Sequence, residues 1–144
     1  HLLMFSLFLM TILFLLSFLI LSKDNFLSRF SFENYNERMF FTGAIVCIAT
    51  YLLQNNFIYR EIFIFFILPF VFRASNQSLF AKLLFSTLIL KFLLFPATFY
   101  YSMSFNKETL NIIKSIIDNL VISMLLASLT IILLKILKSR QIQI

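Results

Sequence analysis

A polar cluster between two apolar runs is the first place in this sequence where chemistry could occur. In the stretch YLLQNNFIYREIFIFFILPF it contains Asn55, Asn56, Tyr59, Arg60 and Glu61. The planar guanidinium of an arginine matches the geometry of a phosphate group. The cluster is therefore a candidate binding site for a sugar or a phosphate. The alternative is a tight turn with a tyrosine and an arginine as interfacial anchors.

Lys91 is the second candidate, because it lies inside an apolar run. A lysine at the centre of a membrane helix costs roughly 2.5–3.5 kcal/mol, so it needs a reason to be there. It could contact an anionic ligand group such as a lipid-linked phosphate, beside backbone loosened by Pro96. Alternatively, Lys91 is structural and either snorkels or hydrogen-bonds to Ser86, Thr87 or Ser128.

Other kinds of catalytic chemistry lack the residues they need. His1 and Cys47 form no cluster with metal-ligand spacing, so the sequence predicts no metal site. Gly43 is the single glycine, and no glycine-rich loop can hold a nucleotide. We expect the six acidic residues in loops and at helix ends, with no pair spaced for acid–base catalysis. The sequence predicts no cofactor and leaves the catalytic residues unknown.

The composition indicates the environment in which these residues act. The 144 residues are 61% hydrophobic and only 12% charged, whereas soluble domains carry about 25% charged residues. In lipid the backbone must satisfy its own hydrogen bonds, and no alternation typical of a barrel strand is present. We predict an all-α fold: residues 1–144 form a single integral membrane helical bundle with about five transmembrane helices.

Apolar runs place the predicted spans along the chain. The third run covers only about 16 Å at helical rise, too short to cross a membrane unless it extends back to Phe57. The runs are Leu2–Leu21, Met39–Phe57, Ile62–Phe72, Leu83–Met103 and Ile116–Leu134.

Two patterns concern how the helices pack. Gly43, Cys47 and Thr50 form a stripe of small side chains, which predicts close packing inside the bundle or, alternatively, a dimer seam. The segment from residue 107 to 118 has an amphipathic period. It predicts either the wet entry turn of the fifth span or an interfacial helix over an outer cavity. Its polar face would hold Asn111, Lys114, Ser115 and Asp118, and its apolar face Leu110, Ile113, Ile117 and Leu120.

The basic residues indicate an orientation. Five spans would put eight basic residues on one side and three on the other. By the positive-inside rule the C-terminus is cytoplasmic and the turn before Arg60 faces outward. The net charge of +6 therefore reflects topology, and we expect no nucleic-acid partner.

The string IVCIATYLLQNNFIYREIFIFFILP, from Ile45 to Pro69, resembles the C-terminal region of bacterial polytopic glycosyltransferase-like membrane proteins, near glycosyltransferase family 87. One position differs: Ile58 stands where an acid is common, and Glu61 could take over the neutralisation of Arg60. The matching positions are Cys47, Asn55, Asn56, Phe57, Tyr59, Arg60 and Pro69.

This resemblance implies an activity and a location. Members of the glycosyltransferase-C superfamily use polyprenyl-phosphate-linked sugars at the outer face, here in cell-envelope polysaccharide synthesis at the bacterial inner membrane. Their catalytic acid is expected in the first outer loop, which this chain does not show. The resemblance therefore implies a C-terminal part without that acid. Its partners would be membrane lipid, a polyprenyl-phosphate-linked sugar, and further N-terminal spans or partner helices.

Two alternatives remain open. A small structural subunit of a respiratory or ATP synthase complex, encoded by an AT-rich organelle genome, fits the composition equally well and would lie in the mitochondrial inner membrane. A fragment of a polysaccharide flippase or polymerase would instead require a polar path through the bundle.

Overall fold

The computed structural model describes the backbone of residues 2–28, 30–53, 57–100 and 107–141, and the side chains of 7–28, 30–53, 62–94, 109 and 111–138. This part of the chain contains five α-helices and no β-strand, which confirms the all-α class. The helices are α1 (Leu2–Lys23), α2 (Tyr35–Leu52), α3 (Phe57–Ser75), α4 (Leu79–Tyr100) and α5 (Lys107–Gln141).

Each predicted span corresponds to one of these helices, with two informative differences. Helix α3 begins at Phe57, so the third run does extend backwards, and its 19 residues cover about 28 Å. Helix α5 is continuous over 35 residues. The amphipathic segment is therefore the first part of α5, and the alternative of a separate interfacial helix is wrong.

The length and hydropathy of the described segments bear on the predicted spans. Among residues with described side chains, the segment Asn111–Lys138 is long and apolar enough to cross a membrane. The segments Leu7–Lys23 and Ile62–Ser75 are apolar but shorter than 18 residues. One such helix also occurs in the cores of soluble proteins, so the membrane bundle stays a prediction at this point.

Four of the helices pack in a ring, in which each contacts the next. Helix α2 contacts α3, α3 contacts α4, α4 contacts α5, and α5 contacts α2. Helix α1 lies outside this ring, packs along α5 and touches α4. As a result α5 has neighbours on three sides, and the described buried apolar side chains are most frequent along it.

Helices α2 and α3 approach closely at Gly43. A Cβ atom at this position would lie 3.0 Å from Cβ of Phe66 and 3.1 Å from Cγ1 of Ile67. Cys47, one turn later, is also buried in the core. Packing inside the bundle is thus confirmed for Gly43 and Cys47, whereas Thr50 is half-buried and donates hydrogen bonds to carbonyls of its own helix.

One end of the bundle is closed by the loop between α1 and α2. The ring of Phe26 lies 5.8, 5.3 and 5.4 Å from the rings of Phe40, Phe70 and Phe80, which belong to three different helices. Such separations are typical of favourable aromatic pairs. The described Nζ of Lys135 in α5 also donates a hydrogen bond to the carbonyl of Leu27. The loop is therefore attached to α2, α3, α4 and α5.

Asp24 connects this loop to the beginning of α4. Its carboxylate accepts the N–H of Phe80 at 3.0 Å and that of Phe26 at 2.8 Å. Burial alone would raise the pKa of the Asp24 carboxyl, but hydrogen bonds from the Ser78 hydroxyl and from these N–H groups lower it overall. A negative charge at a helix N-terminus is stabilising, so the charged form of Asp24 holds the loop after α1 to the start of α4.

Glu37 fixes the second half of the same loop. Its Oε2 accepts the N–H groups of Ser31 at 2.9 Å and Phe32 at 3.0 Å, and Asn34 donates to its Oε1 at 3.0 Å. Phe32 has a φ of 63°, a conformation that a non-glycine residue adopts only when its surroundings hold it there. Burial raises the pKa of Glu37, but these hydrogen bonds lower it below its ordinary value.

We therefore expect Glu37→Gln to destabilise the fold in a pH-dependent way. A carboxyl whose pKa is lowered by folding stabilises the protein above the pKa of the unfolded chain, about 4, and loses that contribution as the pH falls through the folded value. The loss at pH 7 should be about 1.5–3 kcal/mol in the free energy of unfolding, typical of hydrogen bonds to a charged group. Thermal unfolding followed by circular dichroism measures it.

The matched control is Glu33→Gln, because Glu33 lies in the same loop with its side chain exposed. It should change the free energy of unfolding by less than about 0.5 kcal/mol. The difference between wild type and Glu37→Gln should shrink below about pH 4. A difference that is constant from pH 7 to pH 3 would contradict this role of the charge.

Candidate functional site

An ion pair joins α4 to α5 inside the bundle. Nζ of Lys91 contacts Oδ1 of Asp118, and the two side chains are 11% and 8% exposed. Two charges this far from water are stable only as a pair, because each alone would have lost its hydration without compensation. The contact therefore fixes the register of the two helices.

The next residue along α5, Asn119, makes a second polar contact, with a different neighbouring helix. Oδ1 of Asn119 accepts a hydrogen bond of 2.5 Å from the hydroxyl of Tyr51 in α2. Asn119 is only 1% exposed. Adjacent residues on a helix point about 100° apart, so Asp118 can face α4 while Asn119 faces α2. We call Tyr51, Lys91, Asp118 and Asn119 the interior polar group.

The burial of Asp118 corrects two sequence predictions. Asp118 was expected on a wet face of α5, and all the acidic residues were expected in loops or at helix ends. Instead Asp118 is buried twelve residues into α5. Asn111 and Ser115 of the predicted polar face are exposed and Ile117 of the predicted apolar face is buried, as the pattern predicts. Asp118 departs from the pattern because Lys91 gives its carboxylate a partner inside the bundle, and Ile113 departs from it with 42% exposure.

The structure gives Lys91 a partner that the sequence analysis did not name, and contact of Lys91 with an anionic ligand stays a prediction. The sequence predicted snorkelling or hydrogen bonds to hydroxyl groups, and the observed partner is a carboxylate 27 residues away. The available signal was charge complementarity, since a cation and an anion interrupt the fourth and the fifth apolar segments. Without the helix register, nothing in the sequence shows that they meet.

The polar cluster before α3 can be placed only in part. Asn55 and Asn56 lie outside the described residues, and the side chains of Tyr59, Arg60 and Glu61 lie outside the described side chains. The backbone of these last three residues forms the start of α3. Their proposed contacts with a sugar or phosphate therefore stay predictions.

The backbone nevertheless relates Arg60 to Lys91. The rings of Phe65 in α3 and Phe92 in α4 lie 5.3 Å apart, which sets the register of these helices. Arg60 precedes Phe65 by five residues, so its backbone lies roughly 8 Å further along the axis. Lys91 thus lies near the middle of the bundle, and Arg60 lies further along, on the side away from the aromatic loop.

The interior polar group supplies positioning and charge compensation. Lys91 and Asp118 offset each other, and the Tyr51 hydroxyl is held by an amide oxygen. Among the described residues no three His, Cys, Asp or Glu side chains are grouped to hold a metal ion. An incoming anion could bind Lys91 only in competition with the carboxylate of Asp118.

Removing one member of the ion pair should cost more than removing both. Asp118→Leu leaves the Lys91 charge without this partner and should lower the free energy of unfolding by about 3–5 kcal/mol. The double variant Lys91→Met with Asp118→Leu should stay within about 1.5 kcal/mol of wild type, because apolar side chains of similar size can replace a buried pair. Denaturant unfolding in micelles measures all three proteins.

Lys138→Met serves as the control for loss of a lysine, since Lys138 is exposed at the end of α5. It should be close to wild type. A double variant as unstable as Asp118→Leu would show that the pair is not the interaction lost.

Comparison of the chain with protein-family models, with curated proteins and with solved structures finds no match in any of the three. The resemblance carried by the string from Ile45 to Pro69 therefore remains a prediction.

Proposed function

We propose that the chain is an integral membrane bundle and forms the C-terminal, membrane-embedded part of a glycosyltransferase that uses a polyprenyl-phosphate-linked sugar. The first half of this proposal concerns the environment of the helices. The second half concerns the polar cluster at the start of α3.

The observation that carries the membrane assignment is the distribution of polar and apolar side chains. Large apolar residues at mid-helix positions face outward, for example Leu15 in α1, Phe65 in α3 and Leu93 in α4, at 54%, 61% and 65% exposure. Buried positions of α5 hold the polar residues Asp118, Asn119, Ser123 and Ser128. Soluble monomers rarely expose apolar surface on this scale, whereas lipid favours it.

Helix lengths support the same environment. Helices α1 and α4 have 22 residues each, and α5 has 35. At 1.5 Å per residue, α1 and α4 each cover about 33 Å, which is close to the thickness of a bilayer core. The orientation with the C-terminus in the cytoplasm follows from the distribution of basic residues.

The transferase assignment depends on the resemblance and on the position of Arg60. Arg60 lies in the first turn of α3, in the half of the bundle that faces outward under the proposed orientation. An arginine at this level can hold a phosphate near the headgroups through two parallel hydrogen bonds. Polyprenyl-phosphate sugars present their phosphate at that depth.

Three of the four acidic residues with described side chains hold the fold, and the fourth, Glu33, lies exposed in the loop at the end opposite to Arg60. Asp24 and Glu37 accept backbone N–H groups in the loop, and Asp118 pairs with Lys91. Each carboxylate is committed to holding the fold. The proposal therefore assigns a catalytic acid to none of these three residues.

Membrane embedding predicts a specific labelling pattern. In a background with Cys47→Ala, single cysteines at Leu15→Cys and Phe65→Cys should react with N-ethylmaleimide at least tenfold more slowly than Asn76→Cys in native membranes. The reason is that a thiol reacts as its thiolate, which requires water. Asn76 lies in the exposed turn between α3 and α4 and is the matched control.

All three cysteines should react alike after denaturation in hot detergent. Equal reactivity in native membranes would contradict the membrane assignment, since the exposed apolar faces would then be in contact with water.

The transferase half is tested by Arg60→Lys and Arg60→Leu in the full-length protein. If Arg60 grips a phosphate, both changes should lower glycan product per inserted protein at least tenfold, because an ammonium cannot reproduce the bidentate contact. If Arg60 is only an interfacial anchor, Arg60→Lys should retain full activity, since lysine snorkels equally well.

Arg73→Lys is the matched control, because Arg73 is exposed at the opposite end of the same helix. It should keep wild-type product. Wild-type output from both Arg60 variants would overturn the transferase assignment of this site and favour the structural-subunit alternative.

A further inference from the structure

We infer that the end of the bundle closed by the aromatic loop binds the headgroups of anionic phospholipids. This inference rests on the proposed membrane embedding and concerns the end opposite to Arg60. It assigns a ligand class to a surface that the proposed transferase chemistry does not use.

The surface is defined by cationic side chains that the fold brings to one end. The C-termini of α1, α3 and α5 and the N-termini of α2 and α4 meet there, because consecutive helices alternate in direction. Six exposed cations lie at these termini within the described residues: Lys23, Arg38, Arg73, Lys82, Lys135 and Lys138. We call them the basic end.

Within the described residues, the carboxylates at this end make no salt bridge with the cations of the basic end. Asp24 and Glu37 turn inward and accept backbone N–H groups of the loop and of α4. Of the described acidic side chains at this end, Glu33 is the exposed one. The fold thus uses its negative charges internally and leaves the positive charges at the surface.

Helix dipoles explain only some of these cations. Lys23 and Arg73 lie in the last turns of α1 and α3, where a positive charge is favourable. Arg38 and Lys82 lie in the first four residues of α2 and α4, where the dipole disfavours a cation. Their placement is understandable if an external anion compensates for that penalty.

Internal partners do not account for them either. Within the described residues, the side chains of Lys23, Arg38, Arg73, Lys82 and Lys138 make no salt bridge or hydrogen bond. Lys135 is different, because its ammonium group donates to the carbonyl of Leu27 and so helps to hold the loop.

The neighbours of these cations select a lipid over another polyanion. Exposed apolar side chains stand next to them in the sequence: Phe72 beside Arg73, and Leu137 beside Lys138. Leu79 is exposed one turn before Lys82. A long cationic side chain beside exposed apolar surface suits the boundary between acyl chains and headgroups, where the charge reaches the phosphate and the stem stays in hydrocarbon. A nucleic acid or a soluble acidic protein would leave that apolar surface in water.

The test uses the full protein in detergent micelles, titrated with short-chain phosphatidylglycerol or phosphatidylcholine and monitored by native mass spectrometry. Wild type should bind phosphatidylglycerol at least tenfold more tightly. Each Lys or Arg near an anionic surface contributes about a fivefold effect, so the triple variant Arg73→Gln, Lys82→Gln, Lys138→Gln should lose up to roughly a hundredfold. Each single variant should lose about fivefold, which keeps the test usable if the triple variant does not fold.

Two control variants change the charge of the protein but keep all six cations of the basic end. Lys107→Gln removes a lysine at the first residue of α5, at the opposite end of the bundle, and should leave lipid binding unchanged. Glu33→Gln removes the exposed carboxylate and should strengthen binding. Raising the salt from 0.1 to 1 M should weaken the preference for phosphatidylglycerol, because exposed charges are screened.

Equal binding of the two lipids, or equal losses in Lys107→Gln and the triple variant, would overturn the inference. Displacement of phosphatidylglycerol by millimolar inorganic phosphate would also overturn it, since the surface would then recognise free phosphate. The cysteine labelling at Leu15 separates the two proposals. Slow labelling of Leu15→Cys without a preference for phosphatidylglycerol would reject only lipid binding by the basic end. Rapid labelling of Leu15→Cys would reject membrane embedding itself.

Discussion

The constraint on which this structure depends is that charged and strongly polar side chains must find partners inside, because the outer surface of the helices is apolar. The Lys91–Asp118 pair satisfies this requirement at mid-helix depth, and Tyr51 satisfies it for Asn119. Both contacts involve α5, so meeting the polar requirement also positions this helix between α2 and α4. Apolar packing alone permits a helix to slide or rotate, whereas a buried ion pair permits one register.

The same constraint has a different solution at the loop end. There the carboxylates of Asp24 and Glu37 are satisfied by backbone N–H groups, and burial is supplied by the phenylalanine rings around Phe26. Because these carboxylates accept backbone N–H groups, they make no salt bridge with the nearby cations whose side chains are described, which remain at the surface. The charge asymmetry between the two ends of the bundle comes from the distribution of basic residues in the sequence.

The sequence predicts the helices well and the interior polar group poorly, for a physical reason. Long apolar runs define each helix locally, and even the backward extension of α3 to Phe57 follows from the length that a span needs. Whether Asp118 faces inward depends on Lys91, 27 residues away, and on the rotation of both helices. Amphipathic reasoning places every polar residue of this segment on one outward face, and Asp118 departs from it because Lys91 offers a partner inside the bundle. The side chains of the Tyr59–Arg60–Glu61 cluster lie outside the described side chains, so that part of the site rests on sequence alone.

Helices α3 and α5 are held in place by different kinds of contact. Helix α5 is held by an ion pair and a buried hydrogen bond, but the described contacts of α3 with α2 are apolar, with Gly43 against Phe66 and Ile67. Close packing of this kind holds α3 in place by shape, whereas α5 is also held by charge and by hydrogen bonding. These buried polar contacts thus converge on α5. Of the candidate binding residues, Lys91 takes part in these contacts, whereas residues 59–61 lie at the start of α3.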